Sequence, residues 1–206
     1  MTETNAILEF AKQARTYPEL CYGKVGEGKE YDDCIYCMLQ DVLDNAVDEF
    51  MFGYGTEVDI AVDSLSGAMS VRDYGRGAWV NKLDVCFGCD LNYGGRYGDV
   101  EHIGMRDFFV ASGVRRVCAL SKCFSVSSVR DGEFGEIVFE GGRQISYVKG
   151  KCVDGEKSGV LVRWIPDATI FSNCSVSLDH VSSRISNCAM ENPGMKFILN
   201  GVPIHA

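Results

Sequence analysis

From Leu39 to Phe50 the chain reads Leu-Gln-Asp-Val-Leu-Asp-Asn-Ala-Val-Asp-Glu-Phe, a run with the period of an amphipathic helix. At 3.6 residues per turn, Asp41, Asp44, Asn45 and Asp48 share one face, at i, i+3, i+4 and i+7. Leu39, Val42, Leu43, Ala46 and Phe50 form an apolar stripe opposite. A helix with one such stripe needs a second layer to bury it, and that bounds the architecture. Like charges one turn apart cost a helix only ~0.2–0.5 kcal/mol per pair. Two readings of the polar face therefore stand side by side: a solvated acidic surface, or a wall that holds a cation and a nucleotide.

The second layer is visible in the rest of the pattern. A short helix is expected from about Thr4 to Ala14, an irregular Gly-rich stretch from Tyr17 to Asp32, and the main helix from about Asp33 to Met51. Asp32 or Asp33 is its N-cap, and Gly53 lies just past its end. Alternating runs at Glu57–Val62 and Ala68–Arg72 read as a hairpin, followed by a helix over roughly Val80 to Cys89. From Asp90 to Gly113 no period is visible, and a segment that long suggests a functional lid. Val114 to Ser121 reads as a short helix. Strands follow at Phe124–Arg130 and Gly135–Glu140 around an Asp131-Gly132 turn, then at Gln144–Lys149 and Val160–Ile165. A helix from about Leu178 to Met190 and a hairpin at Asn200-Gly201 close the chain. The sum is an α+β fold: a mixed, mostly antiparallel sheet with helices on one face.

The chain has 206 residues and fits one domain, 1–206, with an N-terminal arm over 1–32 and a lid over 90–113. No apolar run is long enough for a membrane span, and acids replace the basic start of a signal peptide, so a cytoplasmic location without membrane contact is expected. A net charge of −9 argues against DNA binding by this region itself. The ten cysteines read as reduced, mostly buried thiols. Cys34/Cys37 and Cys86/Cys89 have the internal spacing of zinc ligands, but each pair lies within an apolar helical pattern, and core cysteine is the preferred reading. His102, His180 and His205 show no nucleophile or metal spacing.

A second motif, Val71-Arg-Asp-Tyr-Gly-Arg-Gly-Ala78, ends a strand in an acid followed by two glycines. In isolation it is a tight turn in which Asp73 satisfies backbone amides. Together with the acidic helix, Asn92-Tyr-Gly-Gly-Arg-Tyr97, Ala119-Leu-Ser121, Ile165-Pro-Asp167 and a late Ser158-Gly159-Val160 strand, it resembles the GHKL ATPase superfamily. The similarity is strongest to the ATP-binding region of type IIA topoisomerase B subunits, gyrase B or topoisomerase IV B. It runs from Tyr17-Pro-Glu-Leu-Cys-Tyr-Gly-Lys24, similar to the family's R-P-G-M-Y-I-G-x, to Asn192-Pro-Gly194 and Asn200-Gly201.

The resemblance implies ATP and Mg²⁺ as cofactors and a role for each residue. Asn45 would coordinate Mg²⁺ through its amide oxygen. Asp73 would accept a hydrogen bond from the adenine amino group, and Gly77 would let the base approach the backbone. Glu49 and Arg76 would form a supporting charged pair, beside Asp48. Asp41 would be the general base that activates the attacking water. Gly94, Gly95 and Arg96 in the lid, and Ser112, Gly113 and Val114 at its end, would contact the nucleotide. Val160 stands where the family has a threonine near adenine, and Arg130 matches a rim arginine associated with coumarin inhibitors. Expected partners are a second copy of the chain on nucleotide binding, and a breakage-rejoining A-type subunit and DNA through regions outside these residues.

Departures cluster at the phosphate end. The base is aspartate where the family has glutamate, which withdraws the carboxylate by about one methylene, and such misplacement can cost ~100-fold in rate. Phe108-Phe-Val-Ala-Ser-Gly113 replaces the glycine-rich loop G-L-x-G-V-G, leaving one glycine. Ala78-Trp79 replaces I-P, Cys118 an asparagine, and Val160 removes a hydroxyl. At 206 residues neither a transducer nor a DNA-cleavage metal domain fits, so an isolated ATPase domain or an N-terminal fragment is expected. The alternative is a catalytically impaired relative that binds a nucleotide or a partner without turnover.

Overall fold

A computed structural model describes residues 11–12, 14–88 and 105–205, with residues 20 and 105–112 described through the backbone alone. Helical residues at 11–12 and 14–16 precede α1 (Glu19–Tyr22), and α2 (Cys34–Met51) is the acidic helix. The hairpin is β1 (Glu57–Val62) and β2 (Met69–Asp73). A 3₁₀ turn at Val80–Lys82 leads into α3 (Leu83–Phe87), after which α4 spans Met105–Leu120. The second half contains β3 (Ser121–Arg130), β4 (Glu133–Glu140), β5 (Arg143–Lys151), β6 (Gly159–Pro166), α5 (Leu178–Glu191), β7 (Lys196–Leu199) and β8 (Val202–Ile204).

All eight strands form one sheet in the order β5-β4-β3-β6-β2-β1-β7-β8. Every pairing is antiparallel except β1 with β7, where Val58 stands opposite Phe197. Period-2 alternation sends Val58 and Ile60, Met69 and Val71, Phe124 and Val126, and Val162 and Trp164 to one face, where they are buried. Leu39, Val42, Leu43 and Ala46 of α2, Val114 and Val117 of α4, and Val181 and Ile185 of α5 join them in one core. On the opposite face Ala61, Arg163 and Ile165 are exposed, so the described helices back one side of the sheet.

Two expectations need correction. The helix expected at Val114–Ser121 begins nine residues earlier, at Met105, and ends at Leu120, so the expected lid is helical from Met105 to Gly113. The helix expected over Val80 to Cys89 is a 3₁₀ turn and a five-residue α3. Most of the expected N-terminal helix and residues 89–104 lie outside the described residues.

Candidate functional site

Asp33 occupies the N-cap position just before α2, but its side chain serves the preceding loop rather than capping the helix. Oδ2 accepts backbone N–H bonds from Glu27 (3.2 Å), Lys29 (2.9 Å) and Glu30 (3.0 Å), and the Lys24 ammonium lies 3.0 Å from Oδ1. This knot sets where the acidic helix starts. One polar side of α2 then forms a wall of a cavity of about 330 Å³, closed by the ends of β2, β3 and β6 and by α3. The volume is at the lower end of the ~300–1,000 Å³ typical of small-molecule sites.

Asn45, Asp48 and Glu49 line this cavity from α2, and Asp73, Arg76, Gly77, Arg130 and Val160 line it from the sheet side. Asp73 is 8% exposed. Its Oδ1 accepts from Gly75 N–H at 2.9 Å and its Oδ2 from Val160 N–H at 3.2 Å. Burial pushes its carboxyl up to about 6, against the pull of those two amides. Val160 thus contributes its backbone amide as well as an apolar wall.

Gly77 has φ +79°, and a Cβ there would lie 2.2 Å from the Val129 carbonyl oxygen. The glycine is required by the turn's own approach to β3. Arg76 grips Glu49 as a fork: Nη2 donates to Oε1 at 2.7 Å, while Nε (3.2 Å) and the backbone N–H (2.9 Å) donate to Oε2. Burial alone would raise the Glu49 carboxyl, but this fork holds it below its ordinary range.

Asn45 presents a buried Oδ1 with no hydrogen-bond partner. An orphaned buried oxygen is costly, and an amide oxygen is the ligand type a hard divalent cation takes, so Asn45 fits a Mg²⁺ ligand. The other expected residues are distributed differently. Asp44 turns outward, accepting from Gln40 at 2.7 Å. Asp41 is absent from the cavity lining: its carboxylate accepts from the Tyr22 hydroxyl at 2.5 Å and from Arg116 at 3.1 Å. Burial raises its carboxyl, with those two groups opposing. Ser112, Gly113 and Val114 lie well inside α4 rather than at its N-terminus, where their N–H groups are taken up by the helix ladder. Gly94, Gly95 and Arg96 lie outside the described residues.

The rim joins the expected Arg130 to aromatic residues that were given no site role from the sequence. Trp79, 53% exposed, carries the Arg130 guanidinium 3.6 Å from its ring centroid, and Arg130 donates to Gly77 O at 2.9 Å. Tyr54 and Phe52 flank Arg76, at 4.4 and 5.6 Å. The signal for Trp79 was its place directly after the D-x-G-R-G-A run. Tyr22 falls within the Tyr17–Lys24 motif, but nothing local to it or to Arg116 pointed to Asp41. Among the described residues no group of histidine, cysteine and acidic side chains could hold a metal ion, and the described cysteines are free thiols.

A mixed sheet backed on one face, with an acidic helix and a buried Asp-x-Gly-x-Gly turn facing each other across a cavity, is the architecture of the GHKL superfamily of ATPase domains. The 43K ATPase domain of Thermus thermophilus gyrase B, solved with an aminocoumarin, matches with a TM-score of 0.70 and 25% identity, covering 95% of this chain and 50% of that one. The chain belongs to this superfamily, and its homologues are the B subunits of topoisomerase IV and gyrase. The topoisomerase IV B protein of Borreliella burgdorferi is 34% identical over 179 residues, 84% of this chain and 28% of that protein. The gyrase B protein of Mycoplasmoides gallisepticum is 30% identical over 201 residues, 94% of this chain and 30% of that protein. No family model matches. The chain spans less than a third of the length of these curated relatives.

Proposed function

We propose that residues 1–206 form one nucleotide-binding domain that takes up Mg-ATP and serves as the ATPase module of a type II DNA topoisomerase. The supporting observation is that a buried carboxylate and an unpartnered amide oxygen, Asp73 and Asn45, line the same cavity from opposite walls. Asp73 accepts the adenine amino group, Asn45 holds Mg²⁺ at the phosphates, and the Glu49–Arg76 fork keeps the D-x-G-R-G turn against α2. Arg130 on Trp79 bounds the mouth. When bound, Mg²⁺ supplies charge neutralisation to the phosphates. In hydrolysis a water oxygen bonds to the γ-phosphorus, its proton passes to Asp41, and the bond to the β–γ bridging oxygen breaks, leaving ADP.

In this reading nucleotide binding draws two copies together with the 1–32 arm and the 90–113 lid, and the clamp so formed serves strand passage of DNA. Contacts with DNA and with an A-type subunit are made through regions beyond these residues, in the cytoplasm. Among the described residues no helix is long and apolar enough to cross a membrane.

The withdrawn Asp41 and the position of Ser112 to Val114 inside α4 favour a second reading, binding with little or no turnover. Calorimetric titration with a non-hydrolysable ATP analogue, with and without Mg²⁺, tests the first. Mg²⁺-dependent binding is expected, and no heat at millimolar analogue would sink it. Binding with no phosphate release from ATP would select the second.

A further inference from the structure

Asp41 and Asn45 stand one turn apart on α2, yet Asn45 lines the cavity and Asp41 does not. The carboxylate is gripped from two other elements. Tyr22, at the end of α1, donates its hydroxyl to Oδ2, and Arg116, on α4, donates to Oδ1. The same guanidinium donates to the Cys21 carbonyl at 2.9 Å and lies 4.6 Å from the Tyr22 ring centroid. Gly113 closes a further side, since a Cβ there would come 2.7 Å from the Asp41 carboxyl carbon. Asp41 keeps 16% of its side chain exposed. A general base must come within ~2.6–3.2 Å of the proton it takes, directly or through one water. Here both carboxylate oxygens are already bonded to groups outside the nucleotide cavity.

Resting on the assignment of Asp41 as base, we propose that Tyr22 and Arg116 are positioning residues that latch Asp41 away from the nucleotide. The domain then binds Mg-ATP in this pose and hydrolyses it when the latch opens. Arg116 ties α1, α2 and α4 together through one guanidinium. Displacement of the four-residue α1 turn therefore frees Oδ2 and removes the second anchor of Arg116 at the same time.

The test measures kcat for ATP, and affinity for a non-hydrolysable analogue, on the chain, on Tyr22→Phe and Arg116→Met, and on each combined with Asp41→Asn. The latch predicts that either single change raises kcat about tenfold, the bias one hydrogen bond to a charged group supplies. Analogue affinity should stay unchanged, and the gain should vanish with Asp41→Asn. A purely structural contact would move stability without raising kcat. Tyr22→Phe removes one hydroxyl and keeps the ring under Arg116, so it reports even if Arg116→Met fails to fold. A folded Tyr22→Phe that binds the analogue and shows equal or lower kcat overturns the latch alone. Failure of the parent chain to bind the analogue overturns the nucleotide reading, and the latch with it.

Discussion

Asp73 does two opposed jobs. Its ionised carboxylate is the acceptor the base needs, but burial makes that ion costly and lifts its carboxyl from 3.8 to about 6. A raised folded value means the group favours the folded state most below its unfolded value, and this contribution is lost as pH rises through about 6. From Asp73 alone, the ligand-free domain should be less stable at pH 7 than at pH 4 by roughly 3 kcal/mol at most. Denaturation of Asp73→Ala against the parent across that window should show this contribution missing. Ligand binding runs the other way. Affinity for an adenine ligand without phosphates should fall as pH drops through about 6, and a flat profile from pH 7.5 to 5 would remove Asp73 from the base contact. At this scale the gathering of Asp73, Asn45 and the Glu49–Arg76 pair around one cavity was legible because motif and helical spacing agreed. The fate of Asp41 was not, because its partners lie 19 and 75 residues away in the chain.

Among elements, α2 depends on the loop before it. Asp33 collects three backbone N–H bonds and faces Lys24, and although burial would raise its carboxyl, these bonds hold it low. Its contribution is therefore present above the ordinary aspartate range and lost on acidification through the lowered folded value. Asp33→Ala should cost roughly 2–4 kcal/mol at pH 7, about 5–10 °C in melting temperature for a chain this size. A loss below 1 °C by calorimetry would show that the loop is held elsewhere. Hairpins were read well because their turns have a local requirement: Asp131-Gly132 and Asn200-Gly201 all have positive φ. α4 was read short because Gly104, Phe108, Phe109 and Gly113 interrupt any amphipathic period, while the helix is held by packing at its far end, where Val114, Val117 and Leu120 are fully buried.

For the molecule as a whole, a net charge of −9 leaves little to attract a phosphate backbone. Anisotropy titration of this chain with a duplex at physiological salt should give no binding tighter than about 10⁻⁴ M, and steep, salt-sensitive micromolar binding would place a DNA surface within these residues. The α+β class was legible from alternating strands around one amphipathic helix. The strand order was not, since nothing local near Lys196 announces β1 as its neighbour.

That lone parallel pairing has a consequence for how the protein is made. Glu57 to Ile60 find their partners in Lys196 to Leu199, so on the ribosome β1 waits through the synthesis of β2 to β6 and α5 with one side unpaired. Contacts this distant in sequence form late and slowly, and an open strand edge invites another chain to fill it. The nascent chain completes this sheet only when β7 and β8 emerge, and until then that edge is where a chaperone has most to protect.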